Sequence, residues 1–114
     1  MTLHSLNQYG HDFQIKVISS LLTHKDFLIN IHDIISEEYF ENSAHRWAIK
    51  EVLNYYEKYH TTPSLETLKI ELQKVDNEVL QIAIKEQLKT AYVSSDEDLK
   101  YIQEEFTNFC RNQQ

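Results

Sequence analysis

The chain has a single glycine, Gly10, and a single proline, Pro63, among its 114 residues. Tight turns depend on these two residue types, and turn-rich β-sandwiches need a turn signal about every 8–12 positions. A glycine-rich phosphate-binding loop cannot be built around Gly10 alone, which excludes a P-loop and a dinucleotide-binding fold within this chain. With 41% hydrophobic and 25% charged residues, the composition is that of an ordinary globular domain. These features favour a single domain made of helices.

Apolar residues recur with helical spacing in every long segment, and no segment alternates with the period of a strand. The predicted helices cover residues 12–23, 26–35, 43–60, 63–74, 77–93 and 96–112, with a brief helical turn at 36–40. The predicted N-terminal caps are Asp12, Ser36, Asn42 or Ser43, Thr62, Asp76 and Ser95. Because the break at residues 94–98 is very short, the last two helices should fold back on each other. The fold prediction is an all-α, compact bundle of five to seven helices with a C-terminal antiparallel helical hairpin.

We divide the chain into an N-terminal arm (1–11), a helical globular part (12–75), the helical hairpin (76–112) and a short tail (113–114). A globule of this length should have a radius of gyration of about 13 Å. No apolar run reaches the ~18–20 residues of a membrane span, and the first residues lack the basic and apolar pattern of a secretory signal. We therefore expect a cytoplasmic protein without a membrane partner.

The formal net charge is −7 at neutral pH, and no basic cluster stands out. Binding of duplex DNA requires clustered Lys and Arg that neutralise phosphates, so little or no direct duplex DNA binding is expected. Protein partners fit this charge better.

Two His-Asp dipeptides, His11-Asp12 and His32-Asp33, are typical of small metal-dependent phosphohydrolases of the HD type. Such enzymes need further ligands on facing helices, and solvated surface histidines are the favoured interpretation. Cys110 lies on the apolar stripe of the last helix, which predicts a buried, unreactive thiol. We therefore assign no catalytic, cofactor-binding or metal-binding residue.

The long central helix carries a run of tyrosines, Tyr55, Tyr56 and Tyr59, on its predicted apolar face. An aromatic platform for single-stranded bases is one interpretation, but such platforms accompany basic grooves. The basic residues of this helix lie off that face, so we expect the tyrosines to pack in the core with their hydroxyls at its rim.

Three large apolar residues fall on the polar side of their helices: Trp47, Ile82 and Tyr101. Two of these lie on the predicted hairpin, where a cluster of them would form a patch suited to helix association. We expect a protein interface formed by Val79, Ile82, Tyr101 and Phe109, with Trp47 making a second contact.

Several short motifs follow one another in a distinctive order. An early aliphatic helix at 12–22 precedes an acidic pair with two aromatics at 37–40, then His45-Arg46 at a helix start, then the segment 63–68. Over about residues 12–112 this order resembles the N-terminal domain of DnaB-like replicative helicases. Tyr55-Tyr56 and residues 96–101 most resemble the T-even-type bacteriophage members of that family.

The resemblance implies a non-catalytic collar domain that supports hexamer assembly and docks primase or a helicase loader at the replication fork. In the family, C-terminal hairpins pair into dimers, and a linker helix and an ATP- and Mg-dependent motor domain follow the collar. The linker and motor lie outside this chain, so we expect it to be an excised domain or a separate paralogue, not itself an enzyme and without a cofactor. The implied location is the cytoplasm of an infected bacterial host.

Two other functions remain open. The chain could be a free-standing helical adaptor, such as the helicase-binding domain of a primase or a phage protein directed against the host. The His-Asp dipeptides leave the HD-type metal phosphohydrolase as the third hypothesis.

Overall fold

A computed structural model of the chain describes residues 6–92 and 98–113. The described residues form α-helices and 3₁₀ turns and contain no strand, which confirms the predicted all-α class. The six α-helices are α1 (His11–Thr23), α2 (Lys25–Ile31), α3 (Ser43–Tyr59), α4 (Leu65–Leu72), α5 (Glu78–Tyr92) and α6 (Leu99–Asn112). Two 3₁₀ turns, Leu6–Tyr9 and Glu37–Tyr39, precede α1 and α3.

Helix α1 lies at the centre of the fold. It packs against α2, α3, α5 and α6, and nearly all of its residues from Phe13 to Leu22 are buried. A helix that is buried on every side needs apolar or small residues all round, which the sequence of α1 supplies. The helix begins directly after Gly10, whose φ of +88° is strained for any other residue type, and Asp12 lies inside the first turn instead of capping it.

One hydrophobic core runs through the molecule, from Leu6 in the first 3₁₀ turn to Cys110 in α6. Its radius of gyration of 13.3 Å agrees with the expectation for this length. Leu6 is fully buried, and the ring of Tyr9 stacks on Phe13 with centroids 4.5 Å apart. Residues 6–9 are therefore part of the globule rather than of a free arm. The predicted boundary at residue 76 does not separate two cores either, because α5 packs on α1 and α3.

Two predicted caps are confirmed by hydrogen bonds to the free N–H groups of a helix start. The side chain of Ser36 accepts from the N–H of Glu38. Asn42 Oδ1 accepts from the N–H groups of Ala44 at 2.8 Å and His45 at 3.1 Å, which fixes the beginning of α3. These side chains satisfy donors that have no partner within the helix.

Two further caps lie one or two residues beyond their predicted positions. Ser64, rather than Thr62, accepts from the N–H three residues later and starts α4. Asn77, rather than Asp76, makes the same bond at the start of α5. The predicted cap at Ser95 lies outside the described residues.

Helices α5 and α6, which form the predicted hairpin, both have α1 as a main packing partner. Residues 93–97, which connect them, lie outside the described residues, so the antiparallel hairpin stays a prediction. None of the helices in the described ranges combines the length and the apolarity that crossing a membrane requires.

Candidate functional site

Helix α5 carries two large aliphatic side chains on its outer surface. Its inward face is formed by Ile84, Leu88 and Ala91, all of which are buried. Val79 and Ile82 lie on the other side of the helix and are 78% and 64% exposed. The exposure predicted for Ile82 is therefore confirmed, and Val79, which was assigned to the same interface, is exposed as well.

Tyr101 on α6 is also exposed, at 60% of its surface. It lies off the buried stripe of α6, as its position in the sequence predicts. Among the described residues no ring contact involves Tyr101. Helix α5 packs mainly on α3 and α1, and α6 packs mainly on α1. The structure thus places exposed apolar side chains on both helices of the predicted hairpin, while their joining into one interface remains a prediction.

Phe109 is not on the surface, so its assignment to the interface is wrong for the folded chain. It is 3% exposed, and its ring meets Tyr39 edge-on at 5.4 Å and Tyr9 edge-on at 6.0 Å. The spacing of Ile102, Phe106 and Phe109 puts all three on the stripe of α6 that faces the core.

Trp47 is half-buried and packs against the core, although it lies on the polar side of α3 by sequence. A helical wheel shows the direction in which a side chain leaves its own helix. It does not show whether another segment of the chain packs over that side chain. The predicted second contact through Trp47 is therefore restricted to the exposed part of its ring.

His45 is a fully buried polar side chain at the centre of the described residues' hydrogen bonds between helices. It is 0% exposed and joins three helices, with Nδ1 3.1 Å from Gln14 Oε1 of α1 and Nε2 3.2 Å from Gln87 Oε1 of α5. The ring of His11 stacks on it at 5.0 Å. This burial differs from the solvated surface position predicted for the histidines, and nothing in the His45-Arg46 motif indicates it.

The hydrogen bonds of Gln14 indicate the proton arrangement on His45. Gln14 Nε2 donates to the carbonyl of Gly10 at 3.3 Å, so Oε1 is left to accept from His45 Nδ1–H. If the ring is neutral, Nε2 is an acceptor and pairs with the NH₂ group of Gln87. If the ring is protonated on both nitrogens, Nε2–H donates to Gln87 Oε1. The structure has Oε1 facing Nε2, which is the arrangement that suits the charged ring.

Burial lowers the pKa of His45 from its ordinary value of 6.5, and the neighbouring His11 acts in the same direction. The hydrogen bond with Gln87 opposes them and favours the charged ring. Desolvation is the largest of these effects, so the folded chain holds His45 neutral over a wider pH range than the unfolded chain does.

We expect the free energy of unfolding to decrease as the pH falls below 6.5, because the unfolded chain takes up a proton on His45 before the folded chain does. Above that pH both states hold this group neutral, and its contribution is constant. Urea unfolding at about pH 7.5 and about pH 5.5 measures the change. The variant His45→Gln, in which the other histidines remain, should show a smaller decrease. Equal decreases in both proteins would contradict the assignment.

The two His-Asp dipeptides are placed in different surroundings. His11 stacks on His45 at the start of α1, whereas His32 follows α2 and its ring lies 4.6 Å from Tyr56. In the described ranges no group of three or more His, Cys, Asp or Glu side chains is positioned to hold a metal ion. The described residues therefore include no set of metal ligands of the kind that an HD-type phosphohydrolase requires.

Cys110 is buried, as predicted from its position on the apolar stripe. Burial raises the pKa of its thiol to about 12. The thiolate is the reactive form of cysteine, and a thiol with this pKa stays protonated near neutral pH.

Of the three tyrosines of α3, Tyr56 packs half-buried against the core as predicted, whereas Tyr55 and Tyr59 depart from their predicted core positions. Tyr59 is 61% exposed, and Tyr55 lies beside it, half-buried, with ring centroids 4.6 Å apart. Val52 is the last fully buried residue of α3, and Leu53 and Tyr56 beyond it are only partly buried against the core.

The C-terminal half of α3 and helix α4 border a cleft of about 290 Å³, which Glu51 lines. Partial burial raises the pKa of Glu51, and the negative charge of Glu71 raises it further.

Comparisons with known proteins returned nothing: no family profile, no curated relative and no solved structure matched the chain. The class of protein therefore rests on the residues and on the geometry described above.

Proposed function

We propose that this chain is a non-catalytic docking module, namely the N-terminal collar domain of a DnaB-like bacteriophage replicative helicase. In that role it supports assembly of the hexamer and docks primase or a helicase loader, in the cytoplasm of the infected host. The observation that carries the docking role is the exposure of Val79 and Ile82 on α5, a helix whose inward face is fully packed. The helicase assignment is supported by the order of the sequence motifs.

The polar groups in the core fit a structural rather than a catalytic role. His45 is sealed from solvent between two glutamine side chains. Cys110 has its pKa raised to about 12. In the proposed helicase, ATP and Mg belong to the motor domain.

Pairing of two copies through α5 would be self-complementary, since a two-fold interface uses the same patch on both partners. Val79 and Ile82 are three residues apart and therefore neighbours on one side of the helix. Full burial of an aliphatic side chain contributes about 1.5–3 kcal/mol, so these two residues on each copy form a substantial driving force. Tyr101 on α6 would extend the same interface if the hairpin forms as predicted.

We expect Val79→Glu to weaken self-association of the domain by about tenfold or more, because it would place a carboxylate in an apolar contact. Sedimentation velocity over a range of concentrations measures the dissociation constant. Asn30→Glu, an exposed change of equal charge on α2, is the matched control and should leave association unchanged. A chain that stays monomeric at every concentration would contradict pairing through α5.

The helicase assignment has a separate test in the coding sequence. If the chain is the collar of a helicase, the reading frame should continue beyond Gln114 into a motor domain with a Walker A motif. A stop codon at that point would contradict the collar and favour the free-standing adaptor.

A further inference from the structure

A groove of about 750 Å³ lies between α4 and α5. Four aliphatic side chains line it, Leu65 and Leu72 from α4 and Ile82 and Leu88 from α5. Leu65 and Ile82 are exposed, Leu72 is half-buried and Leu88 is buried, so the apolar surface extends from the core out to the rim. A concave apolar surface of this kind is typical of a site that receives a side chain or a helix from another molecule.

One end of the groove is held by hydrogen bonds. Gln81 Nε2 donates to the carbonyl of Val75 at 2.6 Å and to the carbonyl of Leu72 at 3.3 Å. These bonds tie the first turns of α5 to the last residue of α4 and to the turn that follows it. The Gln81 side chain therefore links the two walls at this end of the groove.

The charge of the groove is opposite to that of the chain as a whole. Lys69, Lys85 and Lys89 line it, and none of the four glutamates of α4 and α5 is among its described lining residues. The whole chain carries 18 acidic and 11 basic residues. Lys69 is 3.9 Å from Glu66 in an exposed pair, which is a weak interaction. An acidic partner would thus meet three lysines around an apolar floor.

The dimensions of the groove favour a helix as its occupant. Lys89 is eight positions after Gln81, which corresponds to about 12 Å along α5, or roughly two turns of a bound helix. Both walls are helices, whose backbone groups are bonded internally, so an extended segment would find no strand edge to pair with. A helix satisfies its own backbone and presents only side chains to the apolar floor.

We propose that the α4–α5 groove binds an acidic amphipathic helix of a partner protein. The apolar face of that helix packs on the four aliphatic residues, and its carboxylates meet the lysines on either side. The inference rests on the proposed docking role and gives the chemistry of one partner. It requires neither pairing through Val79, which does not line the groove, nor membership of a helicase family. Ile82 belongs to both surfaces, so a second copy paired through α5 and a helix bound in the groove would compete for it.

The experiment uses a synthetic helical peptide of about 16 residues, long enough to hold a helix on binding. It has Leu at i, i+3, i+4 and i+7 and Glu on both flanks of that stripe, with a fluorescent label. A second peptide has Lys in place of every Glu. Fluorescence anisotropy with the full chain at low salt should show saturable binding of the acidic peptide, at least about tenfold tighter than the basic one, and weaker at high salt.

The double variant Lys85→Glu/Lys89→Glu should weaken binding of the acidic peptide by about tenfold or more, and both positions are exposed, so the fold is expected to persist. The double variant Lys25→Glu/Lys100→Glu has the same change in net charge at exposed positions outside the groove and should bind as the wild type does. Circular dichroism confirms that both variants remain helical.

Three outcomes would overturn the proposal. The first is equal binding of the acidic and basic peptides, and the second is an equal loss of binding in the two double variants. The third is that the chain binds neither peptide and that Lys85→Glu/Lys89→Glu has a lower molar mass than the wild type in sedimentation. That result would mean that a second copy of the chain occupies the groove. A failure of the Val79→Glu test leaves these readouts unaffected, so the two proposals can fail separately.

Discussion

Replacement of Phe106 by alanine is expected to lower the free energy of unfolding by about 3–5 kcal/mol. The side chain is completely buried on α6. Its ring lies 5.9 Å from that of Phe40, 6.4 Å from Phe27 on α2 and 6.4 Å from Phe109. Alanine would leave a cavity between segments that are distant in the chain, and the loss of aromatic contacts adds to the loss of buried area.

Urea unfolding followed by circular dichroism measures this change. Tyr101→Ala is the matched control, since it removes an exposed aromatic ring from the same helix and should alter the free energy of unfolding by no more than about 0.5 kcal/mol. Similar losses in the two variants would contradict the assignment of the effect to the packing of Phe106, because alanine is the better helix former at both positions.

His45→Ala is expected to lower the free energy of unfolding by about 3 kcal/mol near neutral pH. The substitution removes a buried ring and leaves the oxygen of Gln14 and the amide of Gln87 without their histidine partner. A buried polar group that loses its partner retains the full penalty of its desolvation. The effect should therefore exceed that of an equal loss of apolar volume alone.

The control for this variant is His24→Ala. The ring of His24 is exposed, and its hydrogen bond is with the hydroxyl of the adjacent Thr23. We expect that change to alter the free energy of unfolding by less than about 1 kcal/mol. If His45→Ala and His24→Ala unfold at the same urea concentration, the link that His45 makes between α1, α3 and α5 does not contribute to stability.

The helices could be predicted from the sequence because their apolar residues repeat with a clear period. Their ends were harder to place. Helix α2 was predicted to reach residue 35 but ends at Ile31, and the chain continues in turns that bond Ile34 and Ile35 back to the Ile31 carbonyl. Those turns keep Ile35 buried without a helix, so the apolar pattern alone could not show where the helix ends.

The exposed residues of α5 and α6 could be predicted because the apolar periodicity within each helix identifies the face that is buried. Val79, Ile82 and Tyr101 lie off those faces and are exposed. Trp47 and His45 could not be placed in this way, because their burial depends on segments distant in sequence that pack over α3. The α4–α5 groove likewise exists only once two helices separated by a turn lie side by side.

The ring contact between Tyr9 and Phe109, with centroids 6.0 Å apart, brings the opening 3₁₀ turn and the last helix onto one side of the globule. Residues 9 and 109 lie at almost opposite ends of the sequence, so the fold joins the beginning and the end of the described chain in one ring contact. A change in either ring is therefore felt directly by the other.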